Sequence, residues 1–298
     1  MDTYQPYPAS VPQNLQLPRR LERPEFTEVS RRTVAALAPE LADVPMEYIK
    51  RHLAGQANEM LSAVSLLTLP GSLPKARLPA TLEAAVRPTS NLPSSNAFPT
   101  HLLAISSSKS SPSAPSTPTV ASFQAQLAAA SSATVPLYPA HALVLATHCT
   151  LLPPLPRSRP SNRAATLTLP VVPLTVPSAE TFPVLHQYLH TKRPDTLLVS
   201  LLPALSRSVP SASHGSSYVS QFTSERIGRL AHVLASAAHS QAGPQGSLSA
   251  LMAYAKIVNA LWRNVCALGI FDAELWGIMD LAWEVILMAL TQAAQNGH

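Results

Sequence analysis

Two histidines at helical spacing are the first candidates for metal chemistry. His186 and His190 stand four residues apart in HQYLH, so on a helix both rings would share one face. A zinc site needs three or four ligands, and His148 with Cys149 could complete one if the fold brought them near. The zinc-protease motif also needs a glutamate where this chain has Gln187, which cannot take a proton. We therefore favour a partly buried helix face over a zinc-stabilised module.

The sequence lacks the usual motifs of nucleophilic and nucleotide chemistry. No serine lies in a G-x-S-x-G elbow, and none of the nine glycines forms a phosphate-binding loop. His148 and Cys149 are adjacent, so on a helix they point about 100° apart and cannot form a hydrogen-bonded pair. A buried structural thiol is the better interpretation of Cys149. The sequence predicts a protein that is not an enzyme and uses no cofactor.

Two small basic clusters could contact nucleic acid. Arg157, Arg159 and Arg163 lie in PRSRPSNR, and LPRRLERP at 17–24 contains three more arginines. The net charge of +5 permits an acidic partner, but neither cluster is interleaved with aromatic residues that could stack on bases. We expect a solvated loop or an import signal rather than direct nucleic-acid binding. The alternative is a DNA-associated transcriptional cofactor that binds phosphates through the arginines at 157–163.

The aromatic residues best suited to a protein interface gather near the C-terminus. They are the three tryptophans of the chain and a phenylalanine between them: Trp262, Phe271, Trp276 and Trp283. Large aromatic side chains dominate interface energies, but they also bury about 150 to 250 Å² each when they pack in a core. We favour core packing and keep a partner surface as the alternative.

Two tracts resemble disordered loops. Residues 106–119 read SSSKSSPSAPSTPT, and residues 206–220 read SRSVPSASHGSSYVS. Both contain too few large apolar residues to offset the conformational entropy that ordering would cost. In the first tract, Ser111 and Thr117 each precede a proline and are candidate sites for a proline-directed kinase.

Composition excludes several classes of protein. The charged fraction of 12 % is about half the usual value, and thirty prolines interrupt the chain of 298 residues. The first twenty residues contain no apolar run of the secretory kind, and no stretch of 18 apolar residues occurs. The two cysteines lie far apart, which disfavours a disulfide framework. We expect an intracellular protein of the nucleus or cytoplasm that does not bind membranes.

Apolar spacing locates the helices that must position these residues. Apolar residues recur every three or four positions from Pro45, which predicts one helix that ends before Pro70. A shorter helix is predicted over 224–239. In the middle of the chain, helices are predicted from Ser178 to Leu189 and from Pro194 to Pro203.

A helical hairpin is predicted near the C-terminus. Apolar residues at 248–265 share one helix face, and Gly269 stands where a left-handed cap is needed. Asp272 can then cap a last helix that carries Trp276 and Trp283. The connection of three or four residues makes the two helices antiparallel neighbours.

The only strong strand composition is TLTLPVVPLTV at 166–176. Pro170 and Pro173 cannot donate ladder hydrogen bonds, so this strand is expected at a sheet edge or as two short pieces. The predicted fold is mostly α with a small β component (α+β), built on a helical core that includes the C-terminal hairpin. The predicted segments are an extended N-terminal region with a short helix (1–44), a helix and extended region (45–105), a disordered loop (106–135), a small α/β unit (136–205), a second disordered loop (206–222) and a C-terminal helical region (223–298).

Four segments resemble the clampless family of basidiomycete fungi. They are YPAHALVLATHCTLLPPLP (138–156), the segment at 169–203, LQLPRRLERPEF (15–26) and LWRNVCALGIFDAELWGIMDLAWEVILMAL (261–290). The resemblance implies a regulator of sexual development that supports clamp connections and the dikaryon, downstream of the mating-type homeodomain factors. It implies protein partners, among them nuclear transcriptional regulators of the mating-type pathway, and no catalytic residue.

The middle unit is also distantly similar to the BTB interaction fold. Phe182, Leu185, Tyr188 and Leu189 match its F-x-x-L-x-x-Y-L helix, and in BTB modules these positions belong to the core. The prolines at 170, 173 and 183 depart from that pattern. This likeness is an analogy of fold and implies no ligand.

Overall fold

The computed structural model describes residues 17–91, 93–108, 134–158, 162–163, 166–212 and 217–296. The predicted mixed α+β fold with more helix than strand is confirmed. The helices are α1 (Arg31–Leu37), α2 (Met46–Gly55), α3 (Ala57–Ser65), α4 (Ala142–His148), α5 (Phe182–Thr191), α6 (Pro194–Leu201), α7 (Ser224–Leu268) and α8 (Ala273–Asn296). The strands are β1 (Leu67–Thr68), β2 (Ser72–Pro74), β3 (Thr81–Val86), β4 (His101–Ser107), β5 (Thr134–Ala140), β6 (Asn162–Arg163) and β7 (Thr166–Val176).

The strands form one curled sheet in the order β1-β3-β7-β4-β5-β2, and β6 pairs with the start of β7. β4 and β7 are parallel, whereas the other pairs are antiparallel. β1 and β2 stand at opposite ends of this order, yet only residues 69–71 separate them. A connection this short spans no more than about 14 Å, so the sheet must curl until its edges lie close together.

Strand β7 lies inside the sheet, so the prediction of an edge strand or two short pieces was wrong. Its first half pairs with β3 as far as Pro170, and its second half pairs with β4 from Val171 onward. Val171 N donates to Ala80 O on the β3 side at 2.9 Å, and N–H groups alternate between the two sides of a strand. The N–H that Pro173 lacks would therefore face the β3 side, where pairing with β3 has stopped. The change of partner makes both prolines tolerable.

The two faces of the sheet bury different cores. On β4, Leu103 and Ile105 pack on the helix side, whereas Leu102 and Ala104 belong to a second cluster on the opposite face. This alternation has the period of two that a strand requires. The helix-side core extends from residue 21 to residue 289, so the helices and the sheet share one body of packed side chains.

The middle unit contributes to that shared core. Phe182, Leu185, Tyr188 and Leu189 of α5 are all buried, which confirms their prediction as core residues. β5 and β7 from this unit pair with β2, β3 and β4 from the preceding segment. The unit at 136–205 therefore shares both its sheet and its core with other parts of the chain.

The C-terminal hairpin forms as predicted. Gly269 ends α7 in the left-handed region at φ 62° and ψ 51°, and the turn at 269–272 leads directly into α8. The carboxylate of Asp272 accepts the backbone N–H of Leu275 at 2.9 Å, which caps α8. The helix predicted over 224–239 continues into the first helix of the hairpin across a kink at Gly243. Among the described helices, none is long and apolar enough to cross a membrane.

Two local predictions differ from the structure. The single helix predicted from Pro45 is two helices, α2 and α3, because the backbone leaves helical geometry at Gln56 (φ −91°, ψ 2°). The loop predicted to be mobile at 206–222 is anchored in its described part. Tyr218 is buried there, its hydroxyl donates to Pro210 O at 2.7 Å, and its N–H donates to Glu274 Oε1 at 2.6 Å.

Substitution of Gly269 by alanine should destabilise the fold strongly. The left-handed backbone disfavours any Cβ, and a Cβ here would also contact Thr150 Oγ1 and lie 3.2 Å from Leu151 N. We expect the free energy of unfolding to fall by more than about 2 kcal/mol in chemical denaturation. Gly55→Ala is the matched control, since nothing lies within 4 Å of a Cβ added at Gly55 and alanine favours helix formation. Equal stability of the two variants would contradict this role of Gly269.

Candidate interaction surface on the C-terminal hairpin

An extended segment from the N-terminus lies across the hairpin of α7 and α8. Residues 17–29, which we call the N-terminal strap, have no helix or strand. Leu21 is the one residue of the strap that is buried, at 5 % exposure, and it belongs to the helix-side core. The strap therefore depends on specific contacts with the hairpin more than on burial of its own side chains.

Two tryptophans hold the main chain of the strap. The indole N–H of Trp283 donates to Pro18 O at 2.9 Å, and that of Trp262 donates to Glu22 O at 2.7 Å. The two carbonyl groups are four residues apart in the strap. Because an indole N–H can only donate, both rings recognise backbone oxygens, which every peptide carries.

The side chains of the strap add ionic and aromatic contacts. The Arg23 guanidinium pairs with the carboxylate of Asp280 and lies over the Trp276 ring, 5.5 Å from its centroid. The ring of Phe26 meets that of Phe271 edge to face, with centroids 5.2 Å apart. A cation above an indole and an edge-to-face pair are both favourable arrangements.

All four aromatic residues that the sequence singled out thus contact the strap. Trp276 and Trp283 are only 3 % and 2 % exposed, and the Trp276 indole also donates to Ile270 O at 3.0 Å. These two rings are core residues in this structure, as we favoured from the sequence. They do not form an exposed patch, because the strap and the hairpin itself cover them.

Two cavities flank the strap on the hairpin. One, of about 330 Å³, is bordered by Pro18, Asn259 and Trp283. The other, of about 600 Å³, is bordered by the strap arginines on one side and by Asp280 and Glu284 of α8 on the other. The groove between α7 and α8 is therefore wider than the strap that occupies it.

The sequence contains a weak signal for the strap. LPRRLERP at 17–24 is a basic cluster by composition, but its two leucines and Phe26 mark apolar positions in a polar segment. Arg19 and Arg20 are exposed, whereas Arg23 is engaged by Asp280. The strap contacts join residues more than 200 positions apart, which no local pattern reveals.

A buried polar cluster anchors the turn of the hairpin. Asp272 Oδ2 pairs with Lys192 Nζ at 2.7 Å, and Asp272 Oδ1 accepts the hydroxyl of Tyr188 at 2.9 Å. Burial alone would raise the pKa of Asp272, but Lys192 and the hydrogen bonds from Lys192, Leu275 and Tyr188 outweigh it and lower the pKa to about 2. Asp272 is therefore an ionised structural group at neutral pH.

His148 lies beside this cluster as a neutral ring. Lys192 Nζ is 3.4 Å from His148 Nδ1, so the ammonium can donate to that nitrogen. Burial, and then the positive charge of Lys192, lower the pKa of His148 to about 3. Cys149 next to it is a buried thiol whose pKa burial raises to about 12, which makes the thiolate inaccessible at neutral pH.

The histidine pair of the sequence joins a third histidine in the core. His190 Nε2 is 3.1 Å from His141 Nδ1, and the His186 and His190 rings are 4.4 Å apart between centroids. The outer nitrogens of His141 and His190 donate to Ala97 O and His186 O. When both rings are neutral, each carries one N–H group, and both are used for these carbonyl oxygens. No proton is then left for the contact between His141 Nδ1 and His190 Nε2. Burial lowers the pKa of both rings and so opposes binding of a third proton.

This cluster does not have the form of a metal site. Among the described residues, no group of three or more His, Cys, Asp or Glu side chains is arranged to hold a metal ion. His186 Nε2 is buried without a hydrogen-bond partner in the described part of the chain. His148 Nδ1 lies 3.4 Å from Lys192 Nζ, and the charge of Lys192 also acts on Cys149.

Family models account for most of the chain. Residues 24–177 match the N-terminal domain of clampless protein 1, and residues 195–298 match its C-terminal domain. The chain belongs to the clampless protein 1 family. This membership indicates a role in the regulation of clamp connections. No curated protein and no solved structure matches the chain significantly.

The two family domains correspond to structural parts of this clampless protein. The first match ends directly after β7 and so includes the whole described sheet, while the second begins at the second residue of α6 and contains α7 and α8. The strap links the two parts. Its first residues lie before the first match and contact α7 and α8, which belong to the second match.

Of the remaining candidate residues, Arg157 alone has a described side chain. The Arg157 side chain is exposed and its Nε donates to Ala36 O at 3.0 Å, which ties the loop to α1. Arg159 lies outside the described residues, and only the backbone of Arg163 is described, in β6. Ser111 and Thr117 also lie outside the described residues. Their predicted phosphorylation and the predicted phosphate contacts stay predictions.

Trp276→Ala should cost about 3 to 5 kcal/mol of unfolding free energy, because it leaves a large cavity in the core beneath the strap. Chemical denaturation followed by circular dichroism measures this loss. Trp262→Phe is the comparison, since Trp262 is half-buried and its substitution removes mainly the hydrogen bond to Glu22 O, worth about 1 kcal/mol. A Trp276→Ala variant as stable as the parent would show that the ring is not a core group.

Acidification from about pH 6.5 towards pH 4 should destabilise the protein. Unfolded histidines bind protons in this interval, whereas burial holds the pKa of His141 at about 4 and that of His148 at about 3 in the folded chain. The unfolding free energy should fall by roughly 1.4 kcal/mol per pH unit for each such ring. Denaturation at pH 7, 6 and 5 measures the slope. His148→Gln keeps an acceptor for Lys192 and should flatten it, and an unchanged slope would argue against a buried neutral His148.

Proposed function

We propose that this clampless protein is a non-enzymatic regulator of fungal sexual development that acts through protein–protein contacts. Membership in the family supports its involvement with clamp connections. Maintenance of the dikaryon and nuclear partners in the mating-type pathway are the further elements of the proposal. They rest on what the family resemblance implies for a regulator of this kind.

The peptide-binding geometry of the hairpin supports action through protein contacts. The groove between α7 and α8 already holds an extended chain through two indole donors, an acidic side chain and aromatic rings. Recognition of an extended segment in an aromatic-lined groove is a recurrent mode of protein interaction. This observation carries the proposal.

The chemistry of the buried polar groups supports a role other than catalysis. Asp272 caps α8 and pairs with Lys192, while Tyr188 donates its hydroxyl to the same carboxylate. These contacts use the groups for fold stability. Cys149 is held as a thiol by burial, which disfavours nucleophilic attack.

The hairpin surface can be tested by complementation of a clamp-forming basidiomycete that lacks its own clampless gene. Glu284 is exposed on α8 beside the larger cavity, so Glu284→Lys reverses charge at the proposed surface without a core contact. We expect this variant to form clearly fewer clamp connections than the parent. Glu83→Lys is the matched control, because Glu83 is exposed on β3 in the sheet. Normal clamp formation by Glu284→Lys would remove the hairpin surface from the proposal.

The absence of catalysis has a separate test in the same strain. Tyr188→Phe keeps the buried ring and removes only the hydroxyl that donates to Asp272. We expect a stability loss of about 1.5 to 3 kcal/mol, because the lost hydrogen bond is to an ionised carboxylate, and normal clamp formation. Complete loss of clamp connections by a Tyr188→Phe protein that folds and accumulates normally would argue for a chemical role of this cluster.

A further inference from the structure

We propose that the hairpin groove is a docking site for an extended basic segment of a partner protein, and that the N-terminal strap is its internal competitor. This inference deepens the proposed function and rests on it. In the structure the strap occupies the groove, so a partner segment must displace residues 17–26 before it can bind.

The contacts of the groove define the chemistry of the segment. Trp262 and Trp283 each donate one hydrogen bond to a main-chain carbonyl, and these carbonyls are four residues apart. Asp280 and the face of Trp276 together accept a guanidinium. Phe271 packs edge to face with an aromatic ring. A matching ligand is an extended chain with an arginine and, a few residues later, an aromatic residue.

Charge complementarity favours a basic occupant. Asp280 and Glu284 line the α8 side of the larger cavity, and the strap presents Arg19, Arg20 and Arg23 to it. An acidic segment would meet two carboxylates without gaining the contact above Trp276. The cavities of about 330 and 600 Å³ beside the strap leave room for larger side chains than its own.

The strap is held weakly enough to be displaced. Leu21 is its one buried residue, and Phe26 remains 69 % exposed despite its contact with Phe271. The side chains of the ion pair are also open to solvent, at 52 % for Arg23 and 40 % for Asp280. Segments with few buried contacts open locally at low free-energy cost. A covalently attached strap nevertheless competes well, because its effective concentration at the groove is high.

The test uses a fluorescent peptide with the sequence of residues 17–26, LPRRLERPEF, in which three arginines outnumber two glutamates, and the full chain. Leu21→Ala/Arg23→Glu loosens the strap and leaves the groove intact. Fluorescence anisotropy should show weak binding to the parent chain and about tenfold or more tighter binding to this variant, because the strap occupies the groove in most parent molecules. Equal affinity for both proteins, or binding to neither, would overturn the proposal.

A charge reversal in the groove is the matched control. In a loosened variant with Arg23→Ala in place of Arg23→Glu, whose strap cannot pair with a new arginine, Asp280→Arg should weaken binding of the parental peptide by about tenfold, and a peptide with Arg23→Glu should recover that loss. Binding that is indifferent to Asp280 would place the peptide elsewhere. Circular dichroism checks that each protein is folded. If the double substitution in the strap prevents folding, Arg23→Glu alone removes only the exposed pair with Asp280 and the contact above Trp276, and it should still tighten binding by about threefold.

Light scattering distinguishes binding of a partner segment from dimerisation of the chain through exchanged straps. A parent protein that dimerises and becomes monomeric with Arg23→Glu would mean that straps exchange between copies, which would overturn the proposed occupant. The proposed function has an independent outcome. If Glu284→Lys loses clamp connections but the peptide binds neither the parent nor the loosened variant, the hairpin surface stays in the proposed function. Only the proposal of a strap-like ligand is then rejected.

Discussion

The carboxylate of Asp272 connects the two halves of the molecule. It caps α8 through the N–H of Leu275, and it receives the ammonium of Lys192 and the hydroxyl of Tyr188 from the end of α5. A buried carboxylate is tolerable only when such donors satisfy it. Because these donors come from α8 and from α5, the position of α8 relative to the helix that follows the sheet is determined at one point.

The orientation of α8 in turn creates the surface that holds the strap. Trp276, Asp280 and Trp283 recur at intervals of four and three residues, so they share one helix face. That face presents an indole donor, a carboxylate and an aromatic surface to one extended segment. The capped N-terminus of α8 thus sets the orientation of the acidic and aromatic side chains that line the groove. The same arrangement explains how tryptophans can be core residues and still recognise a peptide.

Local rules predicted the helical hairpin well and the sheet less well. Gly269 and Asp272 signal a helix end and a helix start by their own chemistry, so the hairpin needed no tertiary information. Pro170 and Pro173 argued for an edge strand because they lack N–H groups. The structure places them where β7 changes partner, and the sequence of β7 alone carries no information on where its neighbours begin or end.

The sequence by itself determined the secondary structure of the hairpin, the mixed fold class and the family, since each depends on the order of nearby residues. Only the tertiary structure decided what the aromatic residues contact. Trp283 and Pro18 are 265 positions apart, and Lys192 and Asp272 are 80 apart. Such pairs form because the packed core brings distant segments together, and no spacing along the chain encodes that packing.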